Sequence, residues 1–134
     1  MTGAKMQLVR GWLTKAQRDL ASARVLAAST PPLLDTAIYH CQQAAEKAIK
    51  GYLVFHDHQP EHTHDIELLL RTAALYADEF ASWIDLGIEL TPYARLYRYP
   101  GLAVEPEHGQ FERALSAAEK LYELVISLLP PEVQ

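Results

Sequence analysis

Helical periodicity between prolines is the feature that most constrains the fold of this chain. Residues 5–28 place apolar side chains at alternating intervals of three and four, which is the spacing of one helix face. The members of this stripe are Met6, Val9, Leu13, Ala16, Leu20, Ala23 and Ala27. The alternation typical of strands is missing from the segments between prolines. The pattern therefore predicts an all-α protein.

Prolines and capping residues divide the remaining sequence into four further helices. A second stripe in residues 33–55 contains Ile38, Cys41, Ala45, Ala48, Tyr52 and Phe55, and its small residues favour a position at the bundle centre. Helices are also predicted over 65–76, with Thr63 as N-cap, over 79–90, and from 107 or 110 to 129; residues 93–109 are predicted to be irregular. The expected fold is an up-and-down four-helix bundle with a short additional helix, formed by residues 1–134 as one domain.

Composition excludes several classes of protein. The chain has 134 residues, of which 49% are hydrophobic, and a net charge of −5, so it is neither disordered nor low in complexity. It has no uninterrupted apolar stretch of about 20 residues and no apolar signal core, which predicts a cytoplasmic protein without a membrane span. The single cysteine, Cys41, excludes an internal disulfide framework and is expected to be a small core residue.

The charge is unevenly distributed along the sequence. Residues 1–25 carry five basic side chains and one acidic one, whereas residues 26–134 carry seven basic and sixteen acidic ones. A local basic face can attract phosphate even when the total charge is negative. The alternative is an ordinary solvated helix face.

A histidine-rich loop is the first candidate for chemistry. His56, His58, His62 and His64 lie within nine positions, and imidazole is a common zinc ligand. The spacing lacks the helical histidine pair with a glutamate that marks zinc proteases, and an acidic, histidine-rich loop is more often a solvated turn. These four residues are weak candidates for a metal site, and no metal or other cofactor is predicted.

Polar side chains on the second helix form another candidate. Tyr39, Gln43 and Lys47 share one face and could hold a phosphate and a base edge. The alternative is a surface with a Glu46–Lys50 ion pair of i, i+4 spacing, and with Gln43 at an interhelical contact.

The segment from Tyr93 to Gly101 interleaves arginines with tyrosines. Guanidinium groups bind phosphate bidentately, and tyrosine rings can stack on bases. The alternative is an aromatic plug at the bundle end, with Arg98 paired to Asp19 or Glu46. The phosphate-loop, dinucleotide-binding and nucleophile-elbow motifs are all missing from the sequence.

Several stretches together resemble the HEPN domain family. Trp12-Leu13-x-x-Ala16-x-x-Asp19-Leu20 is similar to its first helix, and the run of residues 37–53, AIYHCQQAAEKAIKGYL, is similar to its second. Thr63-His64-Asp65-Ile66 is similar to the opening of the third helix, and Arg98-Tyr99-Pro100-Gly101 resembles the segment before the last one. The resemblance covers nearly the whole chain.

The resemblance implies a five-helix domain with a four-helix core, usually dimeric. Members of the family act in prokaryotic conflict systems, often as RNA-cleaving toxins beside a minimal nucleotidyltransferase that serves as antitoxin. Other members bind nucleotides or RNA. Catalytic members carry an arginine, four to six residues, and a histidine; here Arg98 corresponds to that arginine, but nine residues separate it from His108, so the motif is missing.

With the motif missing, the resemblance implies a nucleotide- or RNA-binding module that is non-catalytic or weakly catalytic. Its expected site residues are Arg98, Tyr99, Lys47 and Gln43, and its expected partners are a minimal nucleotidyltransferase, in a toxin–antitoxin pair, and a second copy of the chain. One alternative is an active ribonuclease whose histidine comes from elsewhere, such as His108 or a dimer mate, with His40 and His64 not favoured as substitutes. Another alternative is a purely structural interaction module that uses its small-residue helix faces.

Overall fold

A computed structural model describes residues 3–101 and 105–134, and all regular structure in these ranges is helical. The α-helices are α1 (Gly3–Ala28), α2 (Leu34–Phe55), α3 (Ile66–Ala73), α4 (Ile84–Leu90) and α5 (His108–Leu128). Short 3-10 segments span Asp78–Trp83, Thr91–Ala94 and Pro131–Val133. The prediction of an all-α fold with five helices is therefore confirmed.

The structure corrects two details around α3 and α4. The N-cap of α3 is Asp65, whose side chain accepts a hydrogen bond from the backbone N–H of Leu68, and the prediction of Thr63 as the cap is wrong. Thr63 instead accepts a hydrogen bond from the N–H of Asp65. The helix expected over 79–90 is divided into a 3-10 segment followed by α4. Gly87 lets α4 approach α3 closely, because a Cβ there would lie 2.6 Å from Leu70 Cδ1.

The segment expected to be irregular, 93–109, is partly ordered at both ends. Its first residues belong to the 3-10 segment Thr91–Ala94, and α5 already begins at His108. Residues 102–104 of that segment lie outside the described residues. Proline within the 3-10 segment does not interrupt it, because a proline in the first turn lacks only an N–H that has no helical partner there.

Helix α2 lies at the centre of the fold, as its small residues predicted, and it packs against α1, α3 and α5. Four of its alanines have no solvent-exposed surface: Ala37, Ala44, Ala45 and Ala48. Small side chains let neighbouring helices approach closely. Gly51 extends this close contact, since a Cβ there would lie 3.1 Å from the Cβ of Trp12 on α1.

Helices α1 and α2 run antiparallel, and their register determines which polar residues meet. The backbone N–H of Leu33 donates to the carbonyl of Leu26 beside the turn, and further along, Asp19 lies opposite His40. Helix α5, which packs mainly on α2, is also tied to α1 by the ion pair of Arg24 with Glu119 at 3.0 Å. Asp19 binds His40 and Lys47, so it lies at the contact between α1 and α2.

Cys41 belongs to the buried core, as expected from its place in the apolar stripe of α2. Burial raises the pKa of its thiol to about 12, so the thiol stays protonated at neutral pH and is a poor nucleophile. None of the helices in the described ranges is long and apolar enough to cross a membrane.

Candidate functional site

Arg98 lies in a turn that follows the 3-10 segment Thr91–Ala94, and its side chain is presented to solvent. Its guanidinium carbon is 3.9 Å from the centre of the Tyr39 ring on α2, which is a cation–π contact. No carboxylate of the described residues forms an ion pair with it. The proposed alternative pairings with Asp19 and Glu46 are therefore wrong, because both carboxylates bind other partners. A positioned guanidinium without a carboxylate partner can accept an anion.

A cavity of about 330 Å³ opens beside Arg98. It is lined by Asp35, Thr36, Tyr39, His40, Tyr97 and Arg98. This volume is at the small end of the range typical of ligand pockets. The lining supplies a cation, an imidazole, a carboxylate, a hydroxyl and two phenol rings, and these groups suit a phosphate joined to a hydroxylated, aromatic molecule.

His40 is held in this cavity by Asp19. The Nδ1 atom of His40 is 2.7 Å from Oδ1 of Asp19, and Nζ of Lys47 is 2.7 Å from the other oxygen of the same carboxylate. The Asp19 side chain is only 9% exposed. Because Nδ1 faces Asp19, Nε2 is the ring nitrogen left for a ligand. An imidazole oriented in this way by a carboxylate can transfer a proton at Nε2.

A glutamine of α5 holds the Tyr97 ring, which lines the cavity, and the neighbouring Tyr93 ring. The side-chain amide of Gln110 donates hydrogen bonds to the hydroxyl oxygens of Tyr93, at 3.1 Å, and Tyr97, at 2.9 Å. The two rings stack with their centres 6.1 Å apart. Tyr93 is buried, so it anchors the segment that carries Arg98 to the bundle. Arg98 is thus exposed but attached to a well-anchored turn.

A second polar cluster lies in the interior around Glu46. Its Oε2 atom is 3.0 Å from Nζ of Lys50, and its Oε1 atom is 2.7 Å from Nδ1 of His64. Oε1 also accepts hydrogen bonds from the amides of Gln42 and Gln43. The Gln42 amide donates to the carbonyl of His64 at 2.9 Å, which fastens the loop before α3 to the middle of α2. The predicted Glu46–Lys50 pair is confirmed, but it is buried rather than solvated.

The structure brings together only part of the predicted site. Arg98 lines the cavity, whereas Tyr99 next to it is 63% exposed and does not. Lys47 pairs with Asp19, and Gln43 is buried beside Glu46, so neither lines the cavity. Lys47 is linked to the cavity residue His40 through the Asp19 carboxylate, which both side chains contact. The aromatic rings that line the cavity belong to Tyr39 and Tyr97 rather than to Tyr99.

Sequence reasoning missed the Asp19–His40 pair, although one signal for it was present. Asp19 lies three residues after Ala16 and four before Ala23, so it borders the apolar stripe of α1 on the face that is buried. A carboxylate on a buried face requires a buried partner. Gln110 gave no comparable signal, because amides are common on exposed helix faces.

The histidine-rich loop does not assemble into a metal centre. The ring of His56 stacks on Tyr76 with centres 4.7 Å apart, and Nδ1 of His58 is 2.9 Å from the Tyr76 hydroxyl. Burial, with the nearby Lys5 charge, lowers the pKa of His56. His64 is bound to Glu46. Within residues 3–101 and 105–134, no group of three or more histidine, cysteine or acidic side chains could hold a metal ion.

His108, the histidine considered as a replacement for the missing motif residue, lies at the start of α5. Its Nδ1 atom is 3.1 Å from Oε1 of Glu112, one turn along the helix, and both side chains are exposed. It does not line the cavity beside Arg98. His40 is the histidine that shares this cavity with Arg98.

Comparison with protein families gives a match over most of the chain. Residues 9–128 match the model of a family described as HEPN domain. Neither the curated proteins nor the solved structures contain a match to this chain.

Proposed function

The chain belongs to the HEPN domain family, and from this premise we propose that it binds a nucleotide or RNA through a phosphate at the cavity between Tyr39 and Arg98. One observation carries the proposal: Arg98 is fixed against Tyr39 at the mouth of a cavity and has no carboxylate partner among the described residues. Charge-assisted hydrogen bonds to phosphate are strong, and the planar guanidinium matches phosphate geometry. The module is proposed to be non-catalytic or weakly catalytic.

The groups that line the cavity differ in what they can bind. His40 and Arg98 favour phosphate. Asp35 disfavours it, because a carboxylate repels phosphate, but it can accept hydrogen bonds from ribose hydroxyls or a base amino group. Tyr39 and Tyr97 offer ring surface for a base. A nucleotide can interact with all of these groups, whereas inorganic phosphate can interact only with His40 and Arg98.

We further propose that the module works in the cytoplasm as a homodimer with a minimal nucleotidyltransferase, in a toxin–antitoxin pair. Family membership supports this proposal, and so do exposed apolar side chains at Leu75, Ile88 and Leu96, which offer surface for a partner. Light scattering at micromolar concentration tests the dimer. A mass near 15.1 kDa, the mass of one chain, would contradict it.

A second candidate function, cleavage of an RNA phosphodiester, is favoured by the Asp19–His40 pair. His40 lines the same cavity as Arg98, so a proton-accepting imidazole and a phosphate-binding cation occur together despite the missing sequence motif. In such a reaction the imidazole would accept the proton of a ribose 2′-hydroxyl as its oxygen attacks phosphorus. The bond from phosphorus to the 5′-oxygen would break, and the leaving oxygen would take up a proton from water, which gives a 2′,3′-cyclic phosphate and a free 5′-hydroxyl. The guanidinium would stabilise the charge on phosphate.

Replacing Arg98 with alanine tests the binding proposal. We expect Arg98→Ala to weaken binding of uridine and adenosine 5′-monophosphate about 10- to 100-fold, since a hydrogen bond to a charged group contributes about 1.5–3 kcal/mol. Isothermal titration calorimetry measures the affinity. Because the side chain is exposed, the melting temperature should change by only about 3 °C or less.

The matched control is Arg71→Ala. It removes the same charge from an exposed arginine on α3 that pairs with Glu67. Equal weakening by both variants would show a nonspecific charge effect. A large drop in melting temperature for Arg98→Ala would show instead that Arg98 is chiefly structural. Either result would count against the binding proposal.

A further inference from the structure

A second cavity, of about 510 Å³, adjoins the first one along α1. It is lined by Arg18, Ala21, Ser22, Val25, Leu26 and His40. His40 lines both cavities, so the two form neighbouring parts of one surface. We propose that the α1 cavity is a second nucleotide subsite, with Arg18 as its phosphate ligand, and that the site binds a single strand of nucleic acid. This inference rests on the proposed function of the Arg98 cavity.

The charges around the α1 cavity favour the binding of a phosphate group. Arg18 is exposed, and no acidic side chain of the described residues pairs with it. No carboxylate lines this cavity, in contrast to the Arg98 cavity with its Asp35. The sequence neighbour Asp19 does not neutralise Arg18 by pairing with it, because adjacent helical positions point about 100° apart and Asp19 is bound to His40 and Lys47.

The apolar part of the same cavity favours contact with the face of a nucleobase. Val25 is 69% exposed, and Leu26 and Ala21 continue its apolar surface. Exposed apolar surface beside a cation suits a nucleotide, whose base is largely apolar on its faces and whose phosphate is charged. The hydroxyl of Ser22 adds one group that can bond to a sugar or base edge.

The presence of one arginine in each cavity favours a strand over a mononucleotide. Arg18 lines one cavity and Arg98 lines the other, so the surface offers a phosphate-binding cation in each of two neighbouring cavities. A strand carries a phosphate for each nucleotide and can supply both. An acidic peptide would also supply two negative charges, but its acidic side chains would not pack on the apolar surface at Val25 as a base would.

The test compares two probes at matched salt concentrations. One is uridine 5′-monophosphate, and the other is a fluorescein-labelled five-nucleotide strand of 2′-O-methyl RNA, which cannot be cleaved by attack of a 2′-hydroxyl. We expect Arg18→Ala to weaken strand binding about tenfold, to lower the salt dependence of log K by about 0.7, and to change mononucleotide binding less than twofold. Arg98→Ala should weaken both. Lys120→Ala, which removes an exposed charge from α5, is the matched control.

The outcomes separate this inference from the function on which it rests. Mononucleotide and strand binding that are both unchanged in Arg18→Ala would overturn the second subsite while leaving the Arg98 site in place. The same loss for Lys120→Ala as for Arg18→Ala would also overturn it. Displacement of the labelled strand by hexaglutamate as readily as by unlabelled strand would assign the surface to acidic peptides instead. Failure of wild-type protein to bind either probe would reject the proposed function itself.

Discussion

Glu46→Ala is expected to lower the free energy of unfolding by about 3–5 kcal/mol, because it leaves a buried ammonium group without its counter-ion. The Lys50 side chain is 8% exposed, and its Nζ atom lies over the Trp12 ring, 5.8 Å from the ring centre. The amides of Gln42 and Gln43 lose an acceptor at the same time. For a chain of this length, the loss corresponds to a drop in melting temperature of roughly 10–20 °C.

Thermal unfolding followed by circular dichroism measures this effect, and Cys41 supplies an independent readout. Burial raises the pKa of the Cys41 thiol to about 12, so at pH 8 a thiol reagent modifies it only when the chain opens. Labelling should therefore be faster in Glu46→Ala. Glu123→Ala, on the exposed face of α5, is the control and should change stability by about 0.5 kcal/mol or less. A Glu46→Ala protein that melts within about 2 °C of wild type would show that the buried cluster has no net stabilising effect.

His40→Ala has the largest expected effect on chemistry, if the second candidate function holds. Slow cleavage of single-stranded RNA in the presence of chelator should then fall by about 100-fold or more, which is the usual contribution of a general base. Asp19→Asn should reduce cleavage less, because it disturbs the orientation of His40 and leaves the imidazole in place. A gel assay on mixed single-stranded RNA measures the rates.

His62→Ala is the matched control for His40→Ala, because it removes an exposed histidine from the loop before α3. Cleavage that persists in His40→Ala would assign the proton transfer to another group. Intact RNA with the wild-type protein would leave the chain as a binding module. In either case binding at Arg98 remains a separate measurement, because titration with a mononucleotide does not require cleavage.

The helices could be predicted because their apolar stripes are regular and prolines separate them. The errors fall where local interactions of similar energy compete. Thr63 and Asp65 are both good capping residues, and the difference between them depends on where the loop is fastened by His64. The division of residues 78–90 into a 3-10 segment and α4 also depends on packing, notably on Gly87 against Leu70.

The candidate site was less predictable because its contacts join elements that are distant in sequence. Arg98 could be identified from its aromatic neighbourhood, but its contact with Tyr39 depends on how the Thr91–Ala94 segment packs on α2. The faces of α2 predicted for Gln43 and Lys47 are those of an isolated helix. In the fold, α1 covers this part of α2 and supplies Asp19 as a partner for Lys47. Burial thus changed the roles of residues whose positions on the helix were predicted correctly.

Because the centre of α2 is rich in alanine, we expect the domain to tolerate few substitutions there that increase side-chain volume. In a core of large side chains, random substitutions mostly create voids, and the surroundings can partly relax around them. The side chains of Ala44, Ala45 and Ala48 are single methyl groups without solvent-exposed surface. Almost every replacement therefore adds volume to a helix contact that is already tightly packed. Among descendants of this sequence, we therefore expect drift at these positions to exchange alanine for glycine or serine, and compensating changes to occur on the helices that face them.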